Sequence, residues 1–259
     1  MGFVPFPRSA LDTSIPARFA EQGVMDTHRN VLHNVMRYTN ALRISCRARL
    51  TLLQAPAFSG AVSSIYGALL NGSAVLPYDV GERGVGAIRA WLAETGTTIY
   101  HSVPSVFRRA FAESAEVGSL RIVRLEGDRA TPRDLELFRA RFNSSCVLSN
   151  GLGATECGLV ARFEFGVRDE SPGAVVPIGR PLDDIEVLIV DGDGRQVAAG
   201  DAGEMLVRSR YLSPGYWRRP DLTAAAFSSD PTEPGVRLYR TGDLGRQRAD
   251  GCLEHPGAL

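Results

Sequence analysis

Residues 120–156 read LRIVRLEGDRATPRDLELFRARFNSSCVLSNGLGATE, and this stretch decides the fold class. The apolar run at 120–125 predicts a buried strand, and residues 132–142, with proline in the first turn, predict a helix. Residues 146–149 predict a second strand, directly before a segment that contains two glycines. A strand, a helix of about ten residues and another strand form the crossover unit of a parallel sheet.

The same alternation of strand and helix continues towards the N-terminus, and it changes after residue 157. Upstream strands are predicted at 49–54, 73–78 and 97–102, and helices at 27–44, 60–70, 85–94 and 104–113. Downstream, short strands are predicted around tight turns, at 185–190, 204–208, 237–244 and 252–254. We therefore expect an α/β fold, with a mainly parallel sheet and flanking helices over 28–150. A small β-rich, barrel-like unit should follow over 175–255.

Composition excludes several classes of protein. The 259 residues carry 29 basic and 29 acidic side chains, so the net charge of zero argues against a nucleic-acid binder. Every basic residue is arginine, which rules out Schiff-base chemistry and a Walker-type phosphate loop. No apolar run approaches the length of a membrane span. Four scattered cysteines predict free thiols and a cytoplasmic protein, and the four histidines lack metal-ligand spacing.

Two loop segments carry groups that suit a nucleotide. In NGLGATE at 150–156, the glycines permit close approach of the backbone, Thr155 offers a hydroxyl, and Glu156 offers a carboxylate for a divalent cation. A structural turn explains the glycines equally well, but it explains the following Thr-Glu pair less well. In YRTGDL at 239–244, Asp243 follows a strand and a glycine turn, which suits two adjacent ribose hydroxyls. Alone, Thr-Gly-Asp predicts only a turn.

Taken together and in order, the motifs resemble those of the adenylate-forming enzyme superfamily. This superfamily includes acyl-CoA synthetases, luciferases and the adenylation domains of nonribosomal peptide synthetases. The resemblance covers about residues 23–255. The matching stretches are THRNVLHNV (27–35), FSGAVSSIYGALLNGSAV (58–75), YHSVPSVFRR (100–109), NGLGATE (150–156), IGRPLDDIEVLIVD (178–191), GDAGEMLVRSRYLSPGYWRRPDLTAAAF (200–227) and LYRTGDLGRQRADGCLEH (238–255).

The resemblance implies that ATP activates a small carboxylic acid as an acyl-adenylate, which then passes to CoA or to the phosphopantetheine arm of a carrier protein. It implies ATP or AMP as nucleotide and Mg²⁺ as metal, whereas the expectation of no nucleic-acid or membrane partner comes from the charge and composition. The resemblance implies a set of nucleotide-binding residues. Glu126, Gly127 and Asp128 would lie beside the adenine, and Asn150 would bind the adenine amino group next to Gly151 and Gly153. Asp243 would bind the ribose. Thr155 is implied at the α-phosphate and Glu156 at the magnesium, and these two are the implied catalytic residues.

The implied acid pocket lies among Phe58, Ser59, His101 and Leu152. Members that activate amino acids carry aspartate where Ser59 stands, and they use it to hold the amino group of the substrate. The serine therefore favours an acid without an α-amino group.

Two family segments have no counterpart in this sequence. Gln22-Gly23-Val24 stands where the family's phosphate loop ends in Pro-Lys-Gly, and the chain ends in Pro-Gly-Ala-Leu where a lid domain bearing a lysine would follow. We therefore expect an opening segment at 1–22 that is joined by deletion to a partial adenylation subdomain at 23–165, followed by a β-rich subdomain at 166–259 and no lid.

Loss of these segments predicts weak or no adenylation by the chain alone. Two alternatives stay open, a non-catalytic nucleotide- or acyl-binding scaffold and one part of a split enzyme completed by a partner chain. A missing subdomain also predicts an exposed apolar patch.

Overall fold

The computed structural model describes residues 23–113 and 117–255. The predicted opening segment at 1–22 lies outside the described residues. The helices are α1 (His28–Ala41), α2 (Ser59–Leu69), α3 (Val80–Arg83), α4 (Ile88–Glu94), α5 (Pro104–Ala110), α6 (Pro132–Arg141) and α7 (Pro220–Ala226), and Val85–Ala87 forms a 3₁₀ turn. The strands are β1 (Val24–Met25), β2 (Arg49–Leu52), β3 (Ala74–Pro77), β4 (Ile99–Ser102), β5 (Ile122–Leu125), β6 (Val147–Ala154), β7 (Gly158–Gly166), β8 (Arg180–Pro181), β9 (Glu186–Val190), β10 (Ala202–Ser209), β11 (Gly215–Tyr216), β12 (Phe227–Ser229), β13 (Arg237–Gln247) and β14 (Leu253–Glu254).

The first sheet has seven strands in the order β3-β2-β4-β5-β6-β7-β8. The pairs from β3 to β6 are parallel, and helices α2, α4, α5 and α6 connect them along the chain. The pairs β6-β7 and β7-β8 are antiparallel. The predicted α/β class with a mainly parallel sheet is therefore confirmed.

The strand predicted at 146–149 is longer in the structure, and the next strand was missed. β6 runs on to Ala154 because its glycine-bearing half pairs antiparallel with β7, with Asn150 opposite Phe163. The register shifts between Leu152 and Gly153, which makes an irregularity in the hairpin. The glycines offer no side chain that would mark a strand, so only the partner strand reveals that most of NGLGATE lies in a sheet.

The second sheet is antiparallel and has the order β12-β13-β10-β9, with β14 paired to β13. A separate pair of short strands, β1 and β11, joins the start of the described chain to the β-rich part. This arrangement confirms the predicted β-rich unit. Its strand β13 is longer than predicted, since pairing with β10 continues past Asp243 to Arg246.

Apolar side chains fill three clusters. The largest lies between α4, α5, α6 and the first sheet, and it includes Phe107, Phe138 and Phe165. A second fills the β-rich unit around Met205 and Val207, and a third packs α1 and α2 on the sheet.

Large apolar side chains are also exposed, and most of them belong to α1 and α2, two helices that contact each other. Six of the eight exposed large apolar side chains among the described residues lie on or next to α1 and α2: Leu32, Met36, Phe58, Tyr66, Leu69 and Leu70. The exposed part of these two helices, Leu32, Met36, Tyr66, Leu69 and Leu70, is called the α1–α2 apolar face below. Such a cluster is unusual on a surface that meets only water.

Candidate functional site

A cavity of about 640 Å³ lies where the carboxyl ends of β5 and β6 meet the second sheet, and its size suits a small-molecule ligand. The lining residues are Gly127, Asp128, Arg129, Ala130, Asn150, Gly151, Leu152, Gly153, Val176, Ile178, Ala202, Gly242, Asp243, Leu244 and His255. The cavity therefore brings together seven residues singled out in the sequence: Gly127, Asp128, Asn150, Gly151, Leu152, Gly153 and Asp243.

Asn150 lies in β6 with its side chain mostly buried against the cavity. Its amide nitrogen donates to the carbonyl oxygen of Pro177 at 2.8 Å. A carbonyl oxygen can only accept, so this bond orients the amide and leaves Oδ1 as an acceptor. No group in the described residues donates to Oδ1. This geometry fits the amino group of an adenine, which is a hydrogen-bond donor.

The loop after β5 places Gly127 and Asp128 on the cavity wall, whereas Glu126 lies directly behind it, since a Cβ on the lining residue Gly151 would lie 2.8 Å from Glu126 Oε1. Gly127 has a φ of 86°, a conformation that glycine adopts without strain. The carboxylate of Glu126 instead accepts bonds from Arg124 and from the hydroxyl of Tyr38. These buried donors hold the Glu126 side chain behind the cavity wall, and its role beside the adenine stays a prediction.

Asp243 reaches the cavity because β13 bulges. Glu204 pairs with Leu244 but Leu206 pairs with Arg240, so residues 241–243 of β13 stand out from the ladder. The hydroxyl of Thr241 holds the bulge, since it donates to the carbonyl oxygen of Met205 at 2.7 Å and accepts from the backbone nitrogen of Asp243 at 3.0 Å. The exposed carboxylate of Asp243 is then free to accept bonds from hydroxyl groups in the cavity.

Two carboxylates, those of Asp128 and Asp243, line this cavity with one guanidinium, that of Arg129. Carboxylates accept hydrogen bonds from sugar hydroxyls, but they repel phosphate oxygens. The cavity therefore suits the adenosine part of a nucleotide better than its phosphates.

Thr155 and Glu156 form the turn between β6 and β7, next to the cavity but outside its lining. Thr155 is exposed, whereas Glu156 is mostly buried and its Oε1 accepts from the hydroxyl of Tyr216 at 2.9 Å. Burial, followed by the charge of Glu156, raises the pKa of Tyr216 above its usual range, so this hydroxyl stays a donor.

Within the described residues, no three His, Cys, Asp or Glu side chains group as a metal site. Mg²⁺ commonly binds through one or two carboxylates together with substrate phosphates, and a single glutamate fits that mode.

Two residues of the expected acid pocket, Phe58 and Ser59, lie at the start of α2, and His101 lies next to it. Phe58 caps this helix and is exposed, and Ser59 begins it. A Cβ on the next residue, Gly60, would lie 3.1 Å from Cε1 of His101 in β4, so the helix start packs on that imidazole. Phe58, Ser59 and His101 are absent from the cavity lining, whereas Leu152 lies on it.

His101 is buried, and burial together with the charge of Arg124 puts its pKa well below the usual range. Its imidazole is therefore neutral at neutral pH.

Several lining residues were not identified from the sequence, including Val176, Ile178, Ala202 and His255. The first two lie in the segment between β7 and β8, and the others begin β10 and follow β14. Their residue types carry no chemical signal, and only the packing of the two sheets brings them to the cavity. His255 is the exception, since its imidazole stands 3.2 Å from the carbonyl oxygen of Leu244, beside Asp243.

The described residues contain no helix that combines the length and the apolarity needed to cross a bilayer.

Relatives were found both among known sequences and among solved structures. The chain is 31% identical to tyrocidine synthase 2 of Brevibacillus parabrevis, over 92% of this chain and 7% of the relative. It is 32% identical to gramicidin S synthase 2 of Aneurinibacillus migulanus, over 78% of this chain and 4% of the relative. The chain thus spans only a small part of these relatives.

Among solved structures, the nonribosomal peptide synthetase FmoA3 matches with a TM-score of 0.83 and 27% identity, over 91% of this chain and 26% of that one. CmiS6 matches with a TM-score of 0.83 and 25% identity, over 93% of this chain and 60% of that one. The family model described as "AMP-binding enzyme" matches residues 22–217, which is most of the chain. This match, the two sheets and the cavity between them show that the chain belongs to the AMP-binding enzymes, the adenylate-forming superfamily that includes nonribosomal peptide synthetase adenylation domains.

Proposed function

We propose that this chain is the AMP-binding part of an ATP-dependent ligase that activates a carboxylic acid as an acyl-adenylate and passes it to a thiol. One observation carries the proposal. The cavity between the two sheets places the oriented amide of Asn150, the glycine backbone of β6 and the carboxylate of Asp243 around one space of nucleoside size. Asn150 accepts from the adenine amino group, and Asp243 accepts from the ribose hydroxyls.

The phosphates then extend towards the β6–β7 turn, away from the carboxylates of Asp128 and Asp243. Thr155 offers its exposed hydroxyl to the α-phosphate there, and Glu156 offers one carboxylate to Mg²⁺. Enzymes of this family use ATP and Mg²⁺. The metal neutralises phosphate charge when bound, while Tyr216 holds the Glu156 side chain in place.

The proposed acid pocket comprises Phe58, Ser59, His101 and Leu152, and the acid has no α-amino group because Ser59 offers no carboxylate. The acceptor is CoA or the phosphopantetheine arm of a carrier protein. The relatives that bear the names of peptide synthases support the second acceptor.

We further propose that residues 23–165 and 166–259 are two subdomains of an adenylation core, and that the protein is cytoplasmic. The free state of Cys46, Cys146, Cys157 and Cys252 supports a reducing compartment.

The chain alone is proposed to have negligible adenylation activity, because its sequence supplies no lysine ammonium to the phosphates. Loss of one preorganised donor to a transition state typically costs about 10²–10³-fold in rate. The alternatives are a nucleotide- or acyl-binding scaffold and a split enzyme.

Calorimetric titration of the full chain with AMP tests the nucleotide site. We expect saturable binding that Asp243→Ala weakens by about 10- to 150-fold, because a hydrogen bond to a charged group contributes about 1.5–3 kcal/mol. Asp193→Ala is the matched control, since Asp193 is an exposed carboxylate in the turn after β9 and does not line the cavity. Absence of AMP binding, or equal losses in the two variants, would contradict the proposal.

Pyrophosphate exchange tests the activity of the chain by itself. We expect no exchange above background with any acid in a panel of short carboxylic acids. Robust exchange by the purified chain would overturn the split-enzyme and scaffold proposals together.

A further inference from the structure

Two side chains of α1 hold the turn between β6 and β7. Nη2 of Arg37 donates to the carbonyl oxygen of Cys157 at 3.0 Å, and Oδ1 of Asn34 accepts from the backbone nitrogen of Leu159 at 3.0 Å. The two side chains lie about one helical turn apart, on the same face of α1. They therefore bind the stretch of backbone that directly follows Glu156.

The helix lies directly against this turn. Gly158 has a φ of 67°, a conformation that glycine adopts without strain. A Cβ on it would collide with Oδ1 of Asn34 and would lie 3.0 Å from Nη2 of Arg37. The β-rich unit holds the turn as well, since the backbone nitrogen of Ser213 donates to the carbonyl oxygen of Glu156 at 2.8 Å. The turn is thus fixed by bonds to two separate parts of the molecule.

The environment of Arg37 is unfavourable for a charged side chain. The residue is only 3% exposed, and its Nε and Nη1 are buried and donate to no group of the described residues. No carboxylate among these residues forms an ion pair with it, and burial lowers the pKa of its guanidinium. A buried cation with two unpaired donors costs free energy of folding. Stability therefore does not explain why an arginine holds the turn.

The position of the turn affects Glu156 more directly than it affects the nucleoside cavity. Cys157 is the next residue in the chain, so a bond to its carbonyl oxygen fixes the backbone from which the Glu156 carboxylate projects. Neither Arg37 nor Asn34 lines the cavity. Groups that lie behind a metal ligand orient it and thereby tune the affinity for the metal. A site that offers Mg²⁺ one protein carboxylate depends strongly on the direction of that carboxylate.

We propose that Arg37 is a positioning residue for Glu156, and that α1 sets the Mg²⁺ affinity of the nucleotide site through it. The inference rests on the proposed function, in which Glu156 offers its carboxylate to Mg²⁺. Asn34 supports the same turn from the same helix. The free energy that burial of the Arg37 charge costs is then the cost of a rigid metal ligand.

Calorimetric titration of the full chain with α,β-methylene ATP, with Mg²⁺ in excess or with EDTA, tests the inference. The affinity ratio of the two titrations should be at least about tenfold for the unmodified chain and near one for Arg37→Met, since groups that orient a metal ligand typically contribute about 10–100-fold. Adenosine should bind both proteins equally, because its proposed contacts to Asn150 and Asp243 lie outside the turn. The urea midpoint of Arg37→Met should equal or exceed that of the unmodified chain, because a buried charge is removed.

Two further variants complete the experiment. Arg29→Met is the matched control, since Arg29 is an exposed arginine on the same helix, and it should keep the full affinity ratio. Asn34→Leu removes the other bond to the turn and should also lower the ratio.

Three outcomes would contradict the inference. The first is a full affinity ratio in folded Arg37→Met or folded Asn34→Leu. The second is a fall in the urea midpoint of Arg37→Met together with weaker adenosine binding, which would show a purely structural role. The third is a ratio of one in an unmodified chain that binds adenosine. Failure of adenosine to bind the unmodified chain would instead contradict the proposed function.

Discussion

Gly179 shows how one residue holds the two sheets together. It pairs with Leu253 of β14 through backbone bonds in both directions, and a Cβ added to it would lie 1.8 Å from the carbonyl oxygen of Arg162 in β7. Its φ of 102° also lies in the region that favours glycine. Contact with both sheets is possible only because this residue has no side chain.

The substitution Gly179→Ala should therefore be far more destabilising than an ordinary glycine substitution. Gly173→Ala is a matched control, since Gly173 has a φ of 101° but no atom within 4 Å of an added Cβ. Backbone strain alone should cost about 1–3 kcal/mol at Gly173, whereas the clash at Gly179 should cost more than about 4 kcal/mol. Urea unfolding measures both values. Equal losses of stability in the two variants would show that the backbone around Arg162 moves freely to make room for the added Cβ.

Single residues also separate what the sequence predicts about the site from what it does not. Asp243 was identified because its carboxylate suits the hydroxyls of a ribose, whereas Asn150 was implied by the family resemblance, and both line the cavity. Glu126 was placed beside the adenine by its position in the chain, but its carboxylate lies with Arg124. Pairing between two side chains that are two residues apart in one segment depends on how α2 and Tyr38 pack over them, and no local pattern encodes that packing.

At the scale of elements, regular strands and helices were predicted well because their signals are local. β4, β5 and α6 follow apolar runs or a proline in the first helical turn, and each was expected within a few residues of its observed bounds. β7 was missed, and the second half of β6 was taken for a loop. These two strands pair with each other, but the glycines of β6 carry no strand signal, so only the tertiary structure reveals the hairpin.

The bulge in β13 is an element whose shape serves the site. Thr241→Val removes the hydroxyl that links Met205 to Asp243 but keeps the size and β-branching of the side chain. One hydrogen bond contributes about 1 kcal/mol, and without it Asp243 is no longer held in position. The affinity for AMP should therefore fall about fivefold. Calorimetric titration measures the effect, and Thr232→Val in the exposed loop after β12 serves as control. Unchanged AMP affinity in Thr241→Val would show that the bulge keeps its shape without this hydroxyl.

At the scale of the whole molecule, buried histidines predict how stability depends on pH. Burial and the charge of Arg124 lower the pKa of His101 well below 6.5, and burial also lowers that of His33 despite its bond to Asp184. Below pH 6.5 the unfolded chain binds protons that the folded chain does not, so stability falls as pH falls. The stability that depends on these histidines being neutral is fully present above about pH 7.5 and is lost progressively below that pH.

As the pH falls from 6.5 to the folded-state pKa of such a histidine, the free energy of unfolding should decrease by up to about 1.4 kcal/mol for each pH unit. His101→Asn should flatten this dependence, and the exposed His28→Asn should leave it unchanged. Urea unfolding at pH 7, 6 and 5 measures the slope. A slope that is the same in His101→Asn and in the unmodified chain would contradict this assignment.

The α1–α2 apolar face predicts the behaviour of the molecule in solution. Leu32→Gln/Met36→Gln makes half-exposed positions polar while keeping good helix formers, so the free energy of unfolding should change by less than about 0.5 kcal/mol. Self-association in sedimentation experiments and fluorescence of a bound apolar dye should both decrease. Trp217→Gln is the control, since Trp217 is exposed outside this face. Equal decreases in both variants would show that the face has no special role.

The cavity takes its walls from both sheets, with Asn150 on one and Asp243 on the other. A ligand that contacts both walls binds only when the two sheets are folded and docked at the same time. It therefore acts as a non-covalent cross-link between two parts that are distant in the chain. At a ligand concentration one hundred times the dissociation constant, the folded state gains about 2.7 kcal/mol. Backbone amides of β6 and β13 should then show one common free energy of opening in hydrogen exchange, as a single cooperative unit.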